Sequence, residues 1–333
     1  MTRVWWHLSD YISHRRAGEA YRRCLPLAGF ELAAAPATAD VAVVHDDPLF
    51  WPKVFGAHPA LRRIPAAGYA VWEGEKLPDV YHQGLGLVRE VWTASAFSAK
   101  ALGQGHPRVK VLPHVVEATE PAEEDLRWAA EMLGAGRYFF SIMDAVNPRK
   151  NMEALLRVFA RVHAVAPDVR LVIKQYRKTV PLKGMSGVLS LGGELDEGRL
   201  AALHRGALAY VAPHRGEAWG LGLSEAMSHG VPVLATGWSG NMEFMGPDNA
   251  VPLRYGLEPV GNRMAGLLPH FTPDMLWASV DENHLEREML RLIRRGPDPA
   301  MRARARAVSE RFSPARVAGI LGVLLRELYS GNI

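Results

Sequence analysis

Cysteine is all but missing: Cys24 is the only one among 333 residues. No intramolecular disulfide can form, and neither a disulfide framework nor a cysteine-ligated zinc site can be built. Long apolar runs are missing too. No window approaches the roughly 20 apolar residues that span a bilayer, and the opening MTRVWWHLSD lacks the apolar stretch of a signal peptide. The expectation is a protein of the reducing cytoplasm, free or peripheral at the inner membrane face. Charge of one sign is not in excess either. A formal net charge of +4 from 39 basic and 35 acidic residues is a mild bias. It argues against nucleic acid as a partner, yet suits a phosphorylated ligand or an anionic membrane surface. Internal repeats and low-complexity tracts are absent.

What is present is an alternation of short apolar runs rich in Val, Ile, Trp and Tyr with helical patterns, which reads as parallel sheets covered by helices. The length exceeds what one core readily serves, so two α/β domains are expected. In the first part strands are expected at 3–8, 40–44, 68–72, 90–93 and 109–113, with helices in 13–28 and 97–102. A polar, acidic interval at 117–125, a helix to about Leu133 and then Gly134-Ala-Gly136 place the domain change near 115–135. The second part opens with a strand at 138–142. A helix follows over 151–166, whose Leu155, Val158, Phe159 and Val162 repeat at helical spacing. Further strands are expected at 169–174, 208–211 and 232–235. Near the end, Val317, Ile320, Leu321, Leu324 and Leu328 form a stripe on a helix over 314–328 that must pack on something.

The informative stretch is Ala212-Pro-His-Arg-Gly-Glu217-Ala-Trp-Gly-Leu-Gly-Leu-Ser-Glu225-Ala-Met, followed by Gly230-Val-Pro-Val-Leu-Ala-Thr236. It follows an expected strand, runs through a glycine-containing loop, enters a helix near Leu221 and leaves it at Gly230, a suitable residue after a helix end. That geometry offers backbone N–H groups and a positive helix end to a phosphate, at the carboxyl ends of strands where open α/β sheets bind ligands. Glu217 lies in the loop at the mouth and Glu225 just over one turn into the helix. A carboxylate can accept from both hydroxyls of a vicinal diol, so the pair suits a ribose and a hexose. Such turns occur in every doubly wound fold, however, and a surface glutamate is ordinarily just solvated. Spacing alone leaves both readings open.

Glu217-x7-Glu225, with Gly220, Ala226, Met227, Gly230 and Pro232, resembles the retaining glycosyltransferases of family four, and the resemblance covers almost all of 138–255. It implies a GT-B fold, two Rossmann-like doubly wound domains facing across a cleft. The expected division is 1–120 for the acceptor-side domain, 121–313 for the nucleotide-sugar domain, and 314–333 for a helix crossing back to the first. Asn147-Pro-Arg149-Lys150-Asn151 resembles the family's basic element at the first strand–helix turn, which assigns Lys150 to the donor diphosphate. Lys150 is expected in the first turn of a helix, a poor place for a cation unless a phosphate relieves the conflict. Six residues earlier, where the family has Arg, stands Asp144, so either Arg149 supplies the second charge or only one is used. The resemblance further implies that Glu225 holds the ribose and Glu217 contacts the transferred sugar. Backbone N–H groups across Trp219, Gly220 and Leu221 would face the diphosphate. By order, the base region falls near Gln175, Tyr176, Glu194 and Leu195.

In the first part, 40–45 looks like a family strand ending in an active-site histidine, His45, and Val71-Trp-Glu73-Gly-Glu75-Lys-Leu-Pro78 resembles a segment of some members, making Trp72 and Glu73 acceptor-side candidates. The usual glycine-rich loop after the first strand is replaced by Trp5-Trp6-His7-Leu8-Ser9-Asp10. Asp46-Asp47 could suggest the metal-binding acidic motif of another glycosyltransferase fold, but the nucleotide signature lies elsewhere and is of the metal-free kind. The expectation is therefore hexose transfer from a UDP- or GDP-sugar to a glycan, lipid-linked or small-molecule acceptor, with retention and with neither cofactor nor metal. Alternatives are a nucleotide-sugar epimerase, a sugar phosphorylase and a non-catalytic nucleotide-sugar-binding protein of the same fold.

Overall fold

The computed structural model describes residues 1–134 and 136–331. Ala135, in the expected junction, lies outside the described residues. The chain forms two units. The first comprises Met1–Val115, Pro259–Leu276 and Arg311–Ile333, and the second Val116–Glu258 and Trp277–Glu310. The segment 259–276, expected from the sequence within 121–313, belongs to the first unit.

The first unit holds a parallel six-stranded sheet in the order β2-β1-β3-β4-β5-β6, built from β1 (Arg3–Leu8), β2 (Glu31–Leu32), β3 (Val41–His45), β4 (Ala66–Tyr69), β5 (Glu90–Thr93) and β6 (Val109–Val111). β3 reads Val-Ala-Val-Val-His and is buried throughout. A parallel strand covered on both faces needs no polar alternation, and branched residues fit the pleat. Helices α1 (Ile12–Cys24), α2 (Trp51–Ala57), α3 (His82–Leu85) and α4 (Ala96–Leu102) belong to the connections. Ser95 starts α4 by accepting from the Ser98 N–H. The strand expected at 68–72 lies at Ala66–Tyr69. Trp72 instead turns into the loop, where its indole N–H donates to the Lys76 carbonyl at 2.8 Å.

The second unit has β7 (Tyr138–Met143), β8 (Arg170–Gln175), β9 (Val188–Leu191), β10 (Ala209–Ala212), β11 (Val233–Thr236) and β12 (Val251–Leu253), parallel in the order β12-β11-β10-β7-β8-β9. β13 (Tyr255–Pro259) pairs with β14 (Leu276–Val280). The later helices are α5 (Glu123–Leu133), α6 (Met152–Val165), α7 (Glu197–Gly206), α8 (Leu221–Ser228), α9 (Gly261–Ala265), α10 (Glu282–Arg295), α11 (Pro299–Arg311) and α12 (Pro314–Ser330). α6 buries Leu155, Val158, Phe159 and Val162 against Phe139, Leu171, Ile173 and, from α10, Leu285 and Met289. Each such side chain contributes about 1.5–3 kcal/mol on burial. Edge strand β9 is only half-buried, so its sequence pattern is weak and the reading places no strand there.

α12 packs with α1 in the first unit. Val317, Leu321, Leu324 and Leu328 are buried as the stripe requires, whereas Ile320 is 39% exposed and Leu325 takes its place. The apolar face is therefore rotated toward Leu325 from the one read in sequence.

Candidate functional site

β7 has β8 on one side and β10 on the other, so the chain reverses its direction of winding between β7 and β10. At such a switch point the loops beyond the carboxyl ends of the strands part and leave room for a ligand. Two loops meet there. After β7, Pro148–Lys150 forms a short 3-10 turn and Asn151, at φ 54° and ψ 42°, precedes α6. Lys150 is therefore in this turn, one residue ahead of Asn151, and not in the first turn of the helix as expected. The cause is local: proline fixes φ at the turn's start and asparagine tolerates the left-handed conformation that ends it.

The loop after β10 is bound to this turn at several points. The Asn151 amide donates to the Pro213 carbonyl at 2.9 Å, and the Arg215 N–H to the Arg149 carbonyl at 2.7 Å. The Arg149 guanidinium donates to the Gly216 carbonyl and lies 3.3 Å from Glu217 Oε2, while the Lys150 ammonium donates to Glu217 Oε1. Glu217 itself is fixed through its backbone. Its N–H donates to Ser239 Oγ at 2.8 Å and its carbonyl accepts from the Gly240 N–H at 2.7 Å. A side chain at Gly240 would bring Cβ within 1.9 Å of the Ala218 carbonyl oxygen, so only glycine allows this approach.

Burial alone would raise the Glu217 pKa, but the Lys150 and Arg149 charges outweigh it and hold the carboxyl at about 2. His214, two residues beyond β10, is the group that sequence reasoning missed. It is buried, neither ring nitrogen meets a hydrogen-bond partner, and burial pushes it down to about 4, with Lys150 and Arg149 adding to the shift against Glu217. A histidine next to proline at a strand end gives no signal that would single it out. Ser239 and Gly240 give no signal either, since each acts through geometry, and Asn151 stands in the basic element without its tie to Pro213 being legible.

Gly220, at φ 93°, leads into α8, and the helix ends as expected: Gly230 at φ 68° donates to the Met227 carbonyl and Val231 to that of Ala226. The first N–H groups of α8 lack helical acceptors and its N-terminus carries partial positive charge. Trp219 is 2% exposed and its indole N–H donates to Ser224 Oγ at 3.1 Å, so a ligand role for it falls to the backbone. Leu221 is half-buried. Glu225 is in another setting from Glu217: partly exposed, with Oε2 3.9 Å from Nε2 of the buried His204.

The base-region candidates lie at the end of β8 and in the loops after β8 and β9, and of these Tyr176 is tied by its N–H to the Met143 carbonyl at the end of β7, at 3.1 Å. Gln175 is buried; its amide donates to the Val180 carbonyl at 2.8 Å and to Ser190 Oγ at 2.6 Å, and its oxygen accepts from the Val180 N–H at 2.9 Å. It shapes the loop after β8. Tyr176 is half-buried in that loop, and Glu194, exposed, and Leu195, half-buried, follow β9, two strands from β7. Asp144 is buried and pairs with Arg177 at 3.1 Å.

In the first unit His45 ends β3, 1% exposed, its ring centroid 4.3 Å from that of Tyr69 and neither nitrogen partnered. Burial, then the neighbouring His14, His114 and His7, push its pKa well below 6.5. Trp72 is 2% exposed and packs on Tyr81 and Phe271, so its ring faces are used by protein. Glu73 is half-buried. Beyond β3, Asp46 lies 3.6 Å from His7, and Asp47 Oδ2 accepts from the Tyr81 hydroxyl and meets His270 Nε2, both at 3.0 Å.

Residues 130–250 match the family model described as glycosyl transferases group 1. The phosphatidyl-myo-inositol mannosyltransferase of Mycobacterium tuberculosis (strain CDC 1551 / Oshkosh) is 36% identical over 94 residues, 27% of this chain and 25% of its own length. The protein of the same name from Mycolicibacterium smegmatis is 29% identical over 178 residues, 50% of this chain and 43% of its own. The chain thus matches a quarter to under half of these relatives. Among solved structures, Anabaena Alr3699/HepE in complex with UDP-glucose gives a TM-score of 0.67 at 15% identity, covering 98% of this chain and 100% of that one. Sucrose-phosphate synthase from Thermosynechococcus elongatus gives 0.64 at 16% identity, covering 100% of both. Likeness at this level of identity concerns the fold, two parallel six-stranded sheets with flanking helices, which is that of GT-B glycosyltransferases.

Proposed function

We propose that this chain, whose residues 130–250 form a glycosyl transferases group 1 segment on a GT-B fold, is a retaining glycosyltransferase. It moves a hexose from a UDP- or GDP-sugar to a sugar-containing or lipid-linked acceptor. The observation that carries the reading is the placement of Lys150 and Arg149 around Glu217 at the switch point, beside the N-terminus of α8. Mannosyl transfer to phosphatidyl-myo-inositol, in the name of the curated relatives, supports a hexose and a lipid acceptor.

Breaking the bond between the anomeric carbon and the diphosphate leaves negative charge on the departing oxygen. Fixed donors that meet this charge lower the barrier. Lys150 is one such donor and the first turn of α8 supplies others. Glu217 holds a hydroxyl of the transferred sugar and opposes the positive charge that develops on its ring, and Glu225 accepts from the ribose hydroxyls. The acceptor hydroxyl attacks from the face the diphosphate leaves, passing its proton to the departing phosphate oxygen, so configuration is retained. Lys150, from the loop after β7, and Glu217, from the loop after β10, thus meet the opposite charges that develop as the bond breaks.

The test is release of nucleoside diphosphate from a panel of nucleotide sugars, with and without sugar and lipid acceptors, in chelator. Acceptor-dependent release with an α-configured product from an α-configured donor is expected. Conversion of the donor sugar without acceptor would make the protein an epimerase, and a need for inorganic phosphate a phosphorylase. Thermal stabilisation without turnover would make it a binding module, and a strict divalent-cation requirement would overturn the assignment.

A further inference from the structure

Asn151, Arg177 and Ser239 are the non-glycine residues with positive φ among those described. Arg177, at φ 65°, is the centre of a three-residue turn closed by the Lys178 N–H donating to the Tyr176 carbonyl at 3.0 Å. The positive-φ form of this γ-turn is rare and strained, and strain of this kind persists only where the surroundings enforce it. The surroundings here do. The Tyr176 N–H donates to the Met143 carbonyl at 3.1 Å, and Gln175 grips both the N–H and the carbonyl of Val180. The turn is thus pinned on both sides of Arg177.

From it the guanidinium reaches Asp144 Oδ2 at 3.1 Å, across the neighbouring strands β8 and β7. The two partners differ in exposure: the Asp144 side chain is 0% exposed and that of Arg177 is 52%. Asp144 is also the root of the turn that carries Lys150, since its carbonyl accepts from the Asn147 N–H and Asn147 in turn accepts from the Lys150 N–H. Mere completion of hydrogen bonds explains neither residue. A neutral side chain could accept from the Val146 N–H without burying a charge, and glycine would fit the turn without strain. The combination makes sense if the buried carboxylate orients a guanidinium. Five N–H donors in a planar fork let one edge rest on a carboxylate while another meets a phosphate.

We infer that Arg177 is a phosphate-binding residue of the donor site, presented by the strained turn and aimed by Asp144, and that it contacts the diphosphate of the nucleotide sugar. This rests on the nucleotide-sugar reading above. Asp144 acts through Arg177 as a positioning residue.

The experiment is calorimetric titration of UDP and GDP, with uridine and guanosine measured by competition, into the wild-type chain, Arg177→Gln, Arg177→Lys and Arg177→Gly. Arg177→Gln should weaken the diphosphate that the wild type binds by about tenfold, the loss of one charge-assisted contact, while nucleoside affinity stays within about twofold. Arg177→Lys should recover part of the loss. Arg177→Gly, which suits the positive φ, keeps the test valid if the glutamine variant folds poorly, and should show the same selective loss. Equal weakening of nucleoside and diphosphate would mean a structural role only, and unchanged diphosphate affinity would remove Arg177 from the site; either overturns the inference. A wild-type chain that binds neither diphosphate would instead overturn the nucleotide-sugar reading itself.

Discussion

Glu217→Gln should tighten the binding of a nucleoside diphosphate, although Glu217 lies in the centre of the site. Lys150 and Arg149 are both turned onto the Glu217 carboxylate, and their charges hold its pKa down at about 2. A diphosphate seated on Lys150 must share that ammonium with Glu217. Two anions at hydrogen-bond distance on either side of one ammonium are about 5 Å apart. At an effective dielectric constant of about 20, their repulsion is roughly 3 kcal/mol. Glutamine keeps the shape and an acceptor oxygen but removes the repulsion, so diphosphate affinity should rise by about 2–3 kcal/mol, or roughly 30- to 150-fold. A nucleoside without phosphate should gain nothing. Turnover should fall, because the same carboxylate opposes the developing ring charge. The assay is calorimetric titration of nucleoside diphosphate and nucleoside at about 0.15 M salt, where exposed charges are screened within about 8 Å and a buried pair is screened much less. Unchanged or weakened diphosphate affinity in a folded Glu217→Gln variant would refute the reasoning, since Glu217 would then be no competitor for Lys150.

Lys150→Ala should lower turnover by about 10²–10³, as loss of a preorganised donor to a developing oxyanion does. Steady-state kinetics at saturating acceptor checks this, and a raised KM for donor with intact kcat would make Lys150 a binding residue only. Glu225→Ala should weaken nucleoside and nucleoside diphosphate alike, by about 1.5–3 kcal/mol for a charge-assisted hydrogen bond; unchanged nucleotide affinity in a folded variant removes Glu225 from the site. Stability should fall on acidification. Burial holds His114 at about 3 and His214 at about 4, against 6.5 for an ordinary imidazole. Below about pH 6.5 the unfolded chain therefore takes up protons that the folded chain refuses. The stabilisation is complete above that pH and is lost as pH falls, by about 1.4 kcal/mol per pH unit for each such histidine. Glu217, depressed to about 2, adds to the loss only below about pH 4.5. Thermal melts between pH 7.5 and 4.5 measure the slope, and a flat melting temperature would show that these imidazoles are not held neutral.

Local pattern was enough for part of the molecule. The 3.6-residue repeat of Leu155, Val158, Phe159 and Val162 places the buried face of α6 because a helix's own geometry puts these residues on one side. Gly230 ends α8 because its left-handed conformation lets the last carbonyls find donors. The motif residues Glu217, Glu225 and Lys150 were legible as side chains suited to sugar and phosphate, and the alternation of strands and helices as two parallel sheets. What they do to one another was not. Lys150 and Glu217 are 67 residues apart and meet only because β7 and β10 are neighbours across the reversal of the sheet, an order that no local preference specifies. The same holds for the reach of Arg177 to Asp144 across β8 and β7. Exposure is likewise a property of the assembled unit: Trp72 and His45 read as ligand-facing groups at strand ends, and tertiary packing encloses both. Sequence determines which chemistry the chain can offer, since side-chain type and local dihedral preference are properties of a few adjacent residues. The fold decides which of those groups are charged, paired and within reach, because burial and ion pairing arise only when distant strands close into one sheet.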